Sequence, residues 1–395
     1  MSGRALFKNT ITFVPRMSSH TLSSLRSPRC ALAAILLLSA CGANETNAPA
    51  APRVLTVGVV QALSGANAVY GKTIVEGIDL AVQQLNAGTA ESGVRIILTV
   101  VDDAGASATS TAAFATLLSR KVDVLIGPTL SNLAAADHAL AQSAGIPAIG
   151  ATTTAAGITD VGNFIFRVAL SENLVVPATL ARVAPLVGLK RAVLIVDGDD
   201  AFSRSSADAM RLGVAQQSAT ILREIDLATQ DLATELARLQ GQTFDTFLVT
   251  PLVAKAAPAL IAIRAARFQQ PVIGGNSFNT LDIARIAGSA AEGAYVGAAW
   301  NPGSTSKTSA AFTAAYRAKY GYAPDQYAAQ GYTAVLVAFD GARRTVGSTL
   351  SLRDAMAATR DLDTPLGVLS MSARREAVHA PVVQQFRNGQ LVVLP

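Results

Sequence analysis

Cysteine is nearly absent: the 395 residues hold two, Cys30 and Cys41. Both precede the first long β-type run, so the body of the chain has no thiol chemistry and no disulfide framework. Histidine is almost as scarce. Beyond residue 50 only His138 and His379 remain, with no third ligand at a metal-site spacing, so no zinc site is expected. Each is read as an ordinary surface or internally satisfied side chain. A Ser-His-Asp triad would have to draw on one of these two, and neither stands at the end of a predicted strand. There is no G-x-S-x-G elbow, and no G-x-G-x-x-G follows a strand. The stretch SGANAVYGKT resembles a phosphate loop, but five residues separate Gly65 from Gly71 where that loop requires four. The carboxylate pairs Asp102-Asp103 and Asp199-Asp200 are adjacent, so on strands they point to opposite faces and read as strand-end turn residues. No catalytic residue, metal or cofactor is predicted, and the chain is not read as an enzyme.

Charge of one sign is missing from the body as well. Residues 1–40 carry five basic residues (Arg4, Lys8, Arg16, Arg26, Arg29) and no acidic one, which leaves 27 of the 32 basic residues against 27 acidic ones beyond them. The high isoelectric point therefore belongs to the N-terminal segment and gives no reason to expect nucleic acid as a partner. No run is apolar over the roughly 20 residues that a membrane span needs. What is present is the short apolar run 31–40, preceded by Arg26 and Arg29 and closed by Leu38-Ser39-Ala40-Cys41. It looks like a lipoprotein signal peptide with its lipobox. Residues 1–40 are expected to be removed, translation starting at Met1 or Met17, with Cys41 lipidated as the mature N-terminus. Residues 41–53, polar with small residues and prolines, read as a flexible tether. The body is then extracytoplasmic and lipid-anchored to the cell envelope, in the periplasm or at the outer surface.

Past the tether the chain alternates strand-type and helix-type segments. Predicted strands cover 54–62, 94–101, 122–126 and 148–150, with helices over 70–85, 109–118 and 133–143 between them. The order resumes after Asn173 with strands over 192–196, 219–225, 246–249 and 272–274 and helices over 205–216, 232–239 and 256–266. Helices over 309–319 and 332–344 follow, then a β tail with an Asn388-Gly389 hairpin turn. This is an α/β chain with two units of parallel sheet flanked by helices. The remaining ~340 residues suit two lobes better than one core.

Ligands of open α/β sheets bind at the C-terminal ends of the strands. There the sequence sets Ser64 and Tyr70 after the first strand, GPTLSN (127–132) after the third and GATTTAAG (150–157) after the fourth. Ser131 is placed to begin a helix. Hydroxyls and free amides of this kind make a cradle for an anion without a charged side chain, although each could equally serve as a helix cap.

At these residues the chain resembles the type I periplasmic binding proteins of the branched-chain amino acid transport class, the extracytoplasmic receptors of ABC importers. The matching segments include VGVVQALSGANAVYGKTIVEGIDLAVQQLN, VDVLIGPTLSN, AGIPAIGATTT, RAVLIVDGDDAFSRS, IRAARFQQPVIGGNSF and YAPDQYAAQGYTAV, in order from Val57 to Val392. The resemblance implies two Rossmann-like lobes with parallel sheets joined by three crossovers. Lobe 1 would comprise 54–171 and 300–366, and lobe 2 172–299 and 367–395. It assigns ligand contacts to Tyr70, Ser131, Thr152 and Thr154 in lobe 1 and to Phe202 in lobe 2. The family's acidic ammonium receptor falls at Asn276, a second lobe 2 aromatic falls at Leu252, and the positions of a small disulfide fall at Gly105 and Leu130. Without a carboxylate at Asn276 the ligand is left open: an amino acid, an amide, or a small aliphatic or aromatic carboxylate, with Asp325 as another acid that could reach the site. The implied partners are that small molecule, the permease subunits of an ABC importer, and the membrane through the lipid on Cys41, with the chain a monomer. An alternative use of the fold is a lipid-anchored envelope regulator that binds a partner protein.

Overall fold

The computed structural model describes residues 51–395, so the leader, Cys41 and most of the tether lie outside the described residues. Arg53, at the end of the expected tether, already belongs to a strand: its amide donates to Gly93 O at 2.8 Å. The first sheet contains β1 (Arg53–Gln61), β2 (Val94–Asp102), β3 (Val124–Ile126), β4 (Ala148–Gly150) and β5 (Ile165–Arg167), all parallel, in the order β2-β1-β3-β4-β5. Val57, Val59 and Val60 of β1 are all buried, on both faces of the sheet, which is why the run is continuously apolar rather than alternating.

The second sheet contains β6 (Arg191–Val196), β7 (Thr220–Asp226), β8 (Thr246–Val249), β9 (Val272–Gly274) and β10 (Tyr295–Ala298). A small sheet follows, made of β11 (Leu362–Thr364), β12 (Gly367–Met371) and β13 (Ala377–Val378). The chain then returns to the second sheet as β14 (Val382–Arg387) and β15 (Gln390–Val393), giving the order β15-β14-β10-β9-β8-β6-β7. β14 and β15 are antiparallel, and Asn388 and Gly389 turn the hairpin with φ of 52° and 71°.

The helix Ala68–Ala87 lies across the helix Gln326–Thr345 with almost no side chain between them. A Cβ on Gly77 would stand 2.0 Å from the Ala328 carbonyl oxygen, and one on Gly331 would stand 2.3 Å from that of Ile74. Glycine at both positions permits this backbone-to-backbone approach.

One boundary differs from the sequence reading. Residues 367–378 were expected with the second lobe, yet β12 pairs with β11 and the segment is stitched to β5. The Arg167 amide donates to Arg375 O at 3.0 Å and the buried Arg167 guanidinium pairs with Glu376. The last passage between the large sheets therefore falls at 379–381, because the small sheet needs β5 as its support.

Candidate functional site

Each large sheet reverses its strand order once. In the first the reversal lies at β1 between β2 and β3, and in the second at β6 between β7 and β8. Loops leaving adjacent strands in opposite directions open a crevice at such a point. The two crevices face each other, and between them lies a cleft with about 350 Å³ of atom-free space. Tyr70, Ser131, Thr152 and Thr154 line it from one side and Phe202, Leu252 and Asn276 from the other, so all seven predicted positions come together. Thr129, Leu130, Asn132, Ser277 and Tyr327 complete the wall. None of these twelve residues is charged.

The first wall offers donors. The helix Ser131–Ala144 begins after Leu130, which has no side chain that could cap it, so Ser131 is the first helical residue and not its cap. The amides of Ser131 and Asn132 are the orphans that every helix N-terminus leaves. The Ser131 hydroxyl accepts only a long bond from the Ala155 amide, at 3.4 Å. The neighbouring loop is held from behind: the Arg167 guanidinium donates to Ala155 O at 2.7 Å and to Thr153 O at 3.4 Å. The Thr152 hydroxyl donates to Thr129 O at 2.9 Å, whereas the buried Thr154 hydroxyl has no partner among the described residues.

The second wall is mainly apolar. Phe202 sits in the first turn of the helix Ala201–Gln216, whose cap is Asp200 through a 2.7 Å bond from the Ser203 amide. Leu252 is half-buried just before the helix Val253–Ala265. Contacts cross the cleft at several points. The Tyr70 hydroxyl accepts from the Val253 amide at 2.8 Å and donates to Ser277 O at 3.3 Å; burial pushes this phenol well above its usual range. Tyr327 packs edge-on against Tyr70, 5.0 Å between centroids, and donates to Asn276 O at 2.7 Å. Asn132 Oδ1 accepts from the Ala201 amide at 3.2 Å.

Asn276 accepts through Oδ1 from Gln326 Nε2 at 2.8 Å and from Asn279 Nδ2 at 3.0 Å. At the position where the resemblance sets the family's ammonium receptor, the one side-chain acceptor is therefore already committed inside the protein. Asp325 does not reach the cleft. It caps the helix Gln326–Thr345, accepting from the Ala328 amide at 2.9 Å and the Thr73 hydroxyl at 3.1 Å, and lines a separate groove with Lys72 and Arg285. The acid that does stand close is Glu172, which the sequence reading missed. It is fully buried behind Thr154 and Asn276, with the Ser206 and Thr154 hydroxyls and the Asn276 amide nearby but none in good hydrogen-bonding geometry, and burial outweighs these donors and pushes it up to about 7. His138 is also internal, its Nε2 2.9 Å from Gly127 O, and burial pushes it down to about 4. At the two positions where the resemblance sets the family's disulfide, a Cβ on Gly105 would meet Leu130 Cδ1 at 3.4 Å, so an apolar side chain fills the place of the bridge.

Comparison with known proteins places this architecture. Residues 54–390 match the family model described as periplasmic binding protein. The Leu/Ile/Val-binding protein of Citrobacter freundii is 24% identical over 264 residues, covering 66% of this chain and 71% of its own length. The leucine-binding protein LivK of Thermotoga maritima superposes with a TM-score of 0.80 at 20% identity, covering 86% of this chain and 98% of the other. A solute-binding protein of R. palustris, solved in complex with benzoate, superposes with a TM-score of 0.77 at 26% identity, over 86% of this chain and 95% of the other. The family match spans nearly all of the described residues, and the chain belongs to the periplasmic binding proteins, with the fold of the leucine-binding protein LivK.

Proposed function

We propose that the protein is the solute receptor of an ABC importer, a lipid-anchored extracytoplasmic protein that captures a small polar ligand between two closing lobes and catalyses no reaction. The two lobes comprise 54–171 with 300–378 and 172–299 with 379–395. The observation that carries this reading is the pairing of two sheet reversal points across one uncharged cleft, with a helix N-terminus and a hydroxyl-lined loop on one wall and apolar side chains on the other. Such a wall suits the carboxylate of a small molecule, and Tyr70, Phe202 and Leu252 suit its apolar part. Hinge motion through the three crossings would open and close the cleft. The curated relatives and solved structures point the same way: one is described as a Leu/Ile/Val-binding protein, another was solved with isoleucine and a third with benzoate.

The test is a thermal-shift screen of the purified full chain, refolded to strip carried ligand, against amino acids, their amides, deaminated acids and aromatic acids. A ligand that binds only the native state raises the melting temperature by mass action. Ser131→Ala should then weaken the best hit by about 1–3 kcal/mol, since it leaves a buried acceptor unmatched. A flat screen across the panel would favour a regulator that binds a partner protein, and unchanged affinity in the variant would remove Ser131 from the site.

A further inference from the structure

The orientation of Asn276 follows from a backbone group whose role cannot be reversed. The Ala299 amide can only donate, and it donates to Oε1 of the buried Gln326. That leaves Gln326 Nε2 as the donor toward Asn276, at 2.8 Å, so the Asn276 atom facing it is Oδ1. A second chain agrees. Asn279 Nδ2 donates to Gly297 O at 2.8 Å, which a carbonyl group requires, and the same nitrogen donates to Asn276 Oδ1. Both acceptor directions of Oδ1 are thus filled from inside the protein. Nδ2 is the atom left without a protein partner, on a residue that lines the cleft.

No residue lining the cleft is charged, so a cation would find only the neutral lone pairs of hydroxyls: Tyr70 is used in both directions, while Thr152 and Tyr327 donate to backbone carbonyls and Ser277 donates to Pro251 O at 2.7 Å. An ammonium carries three donors and no acceptor, and it would meet the Asn276 N–H groups head-on. Burying it there is strongly unfavourable, because the one nearby carboxylate, Glu172, stands behind Thr154 and Asn276 and is not among the residues lining the cleft. Oxygen in the same place meets donors on both walls. Resting on the receptor reading above, we infer that this cleft selects a small acid whose second polar group is a hydrogen-bond acceptor, as in a 2-oxo acid, and excludes the amino acid of the same carbon skeleton.

The test uses matched pairs: leucine against 4-methyl-2-oxopentanoate, valine against 3-methyl-2-oxobutanoate, and alanine against pyruvate. Calorimetric titration of the full chain should give about tenfold or more tighter binding for the oxo acid of at least one pair, the order expected when one buried polar group is left unmatched. Asn276→Asp, which keeps the bonds from Gln326 and Asn279 and turns an oxygen to the cleft, should reverse that preference. Because the wild-type pairs decide the matter alone, the inference stays testable if the variant fails to fold. Tighter binding of the amine by the wild type would overturn it while leaving the receptor reading intact. Loss of that amine preference in Glu172→Gln would then put the ammonium on the buried carboxylate. Binding of neither member of any pair, with a flat wider screen, would remove the receptor reading and this inference together.

Discussion

At the scale of single residues, Glu172 departs far from ordinary surface chemistry. It starts the helix Glu172–Val187 at the first passage between the lobes and is buried with only poorly aligned donors, from Ser206, Thr154 and the Asn276 amide, near its oxygens. Burial lifts it from an ordinary 4.5 to about 7. Between those values the folded chain holds a proton that the unfolded chain has released, so this group's stabilising contribution falls as pH rises through that window. Glu172→Gln should remove the slope. Relative to the parent, the variant should gain stability from pH 4.5 to 7 by on the order of 1 kcal/mol per pH unit, read from urea midpoints at the two ends. His138, pushed down to about 4, acts with the opposite sign, favouring the folded state as pH rises from 4 to 6.5, and cancels in the comparison. Parallel pH profiles would show that Glu172 ionises freely in the fold. Sequence reasoning found the cleft residues that follow strands, because strand ends are where an α/β sheet presents its polar atoms. It missed Glu172, buried behind the cleft wall at the start of a helix that follows the first passage between the lobes, and Tyr327, in the first turn of the helix Gln326–Thr345. Only the three-dimensional return of the chain brings them there.

At the level of elements, the long periodic segments were legible, as were the three-residue apolar strands at 148–150 and 272–274, but several other short elements were not. Helices expected at 70–85 and 133–143 form as Ala68–Ala87 and Ser131–Ala144. The helix Glu172–Val187 was invisible because it contains Pro177 and Pro185, each of which removes a backbone donor. Its stripe of Val176, Leu180 and Val183 packs into the second lobe's core and outweighs that loss. The strands β5 and β11, of three residues each, are too short to show a period; pairing alone defines them. The crossing of Ala68–Ala87 over Gln326–Thr345 gives the sharpest test at this scale. Gly77→Ala would drive a methyl to 2.0 Å from a carbonyl oxygen, so the helices must separate. We expect a destabilisation of about 1–3 kcal/mol or more, as for other overpacked sites, measured by denaturant unfolding. An unchanged midpoint would mean that the helices are not in backbone contact.

For the whole molecule, the equilibrium that matters on the proposed receptor reading is between open and closed lobes. Tyr70 bridges them through the Val253 amide and the Ser277 carbonyl, and Tyr70→Phe leaves both groups unpaired in the closed form. The closed population should fall about 5- to 150-fold, the equivalent of about 1–3 kcal/mol. Small-angle scattering should show a larger radius of gyration for the variant than for the parent; identical curves would assign the bridge no part in closure. Neither lobe is complete in a single stretch of chain. The first needs the helix Gln326–Thr345 against its Gly77 face, and the second needs β14 beside β10, with Phe386 in its core. During synthesis, both hydrophobic cores must wait for residues from the C-terminal part of the chain, and early folding is denied the long-range contacts that would reward it. On the proposed reading, in which the chain crosses a membrane pore before it folds, that delay would keep it threadable, so the interleaved topology would serve its delivery as well as its grip.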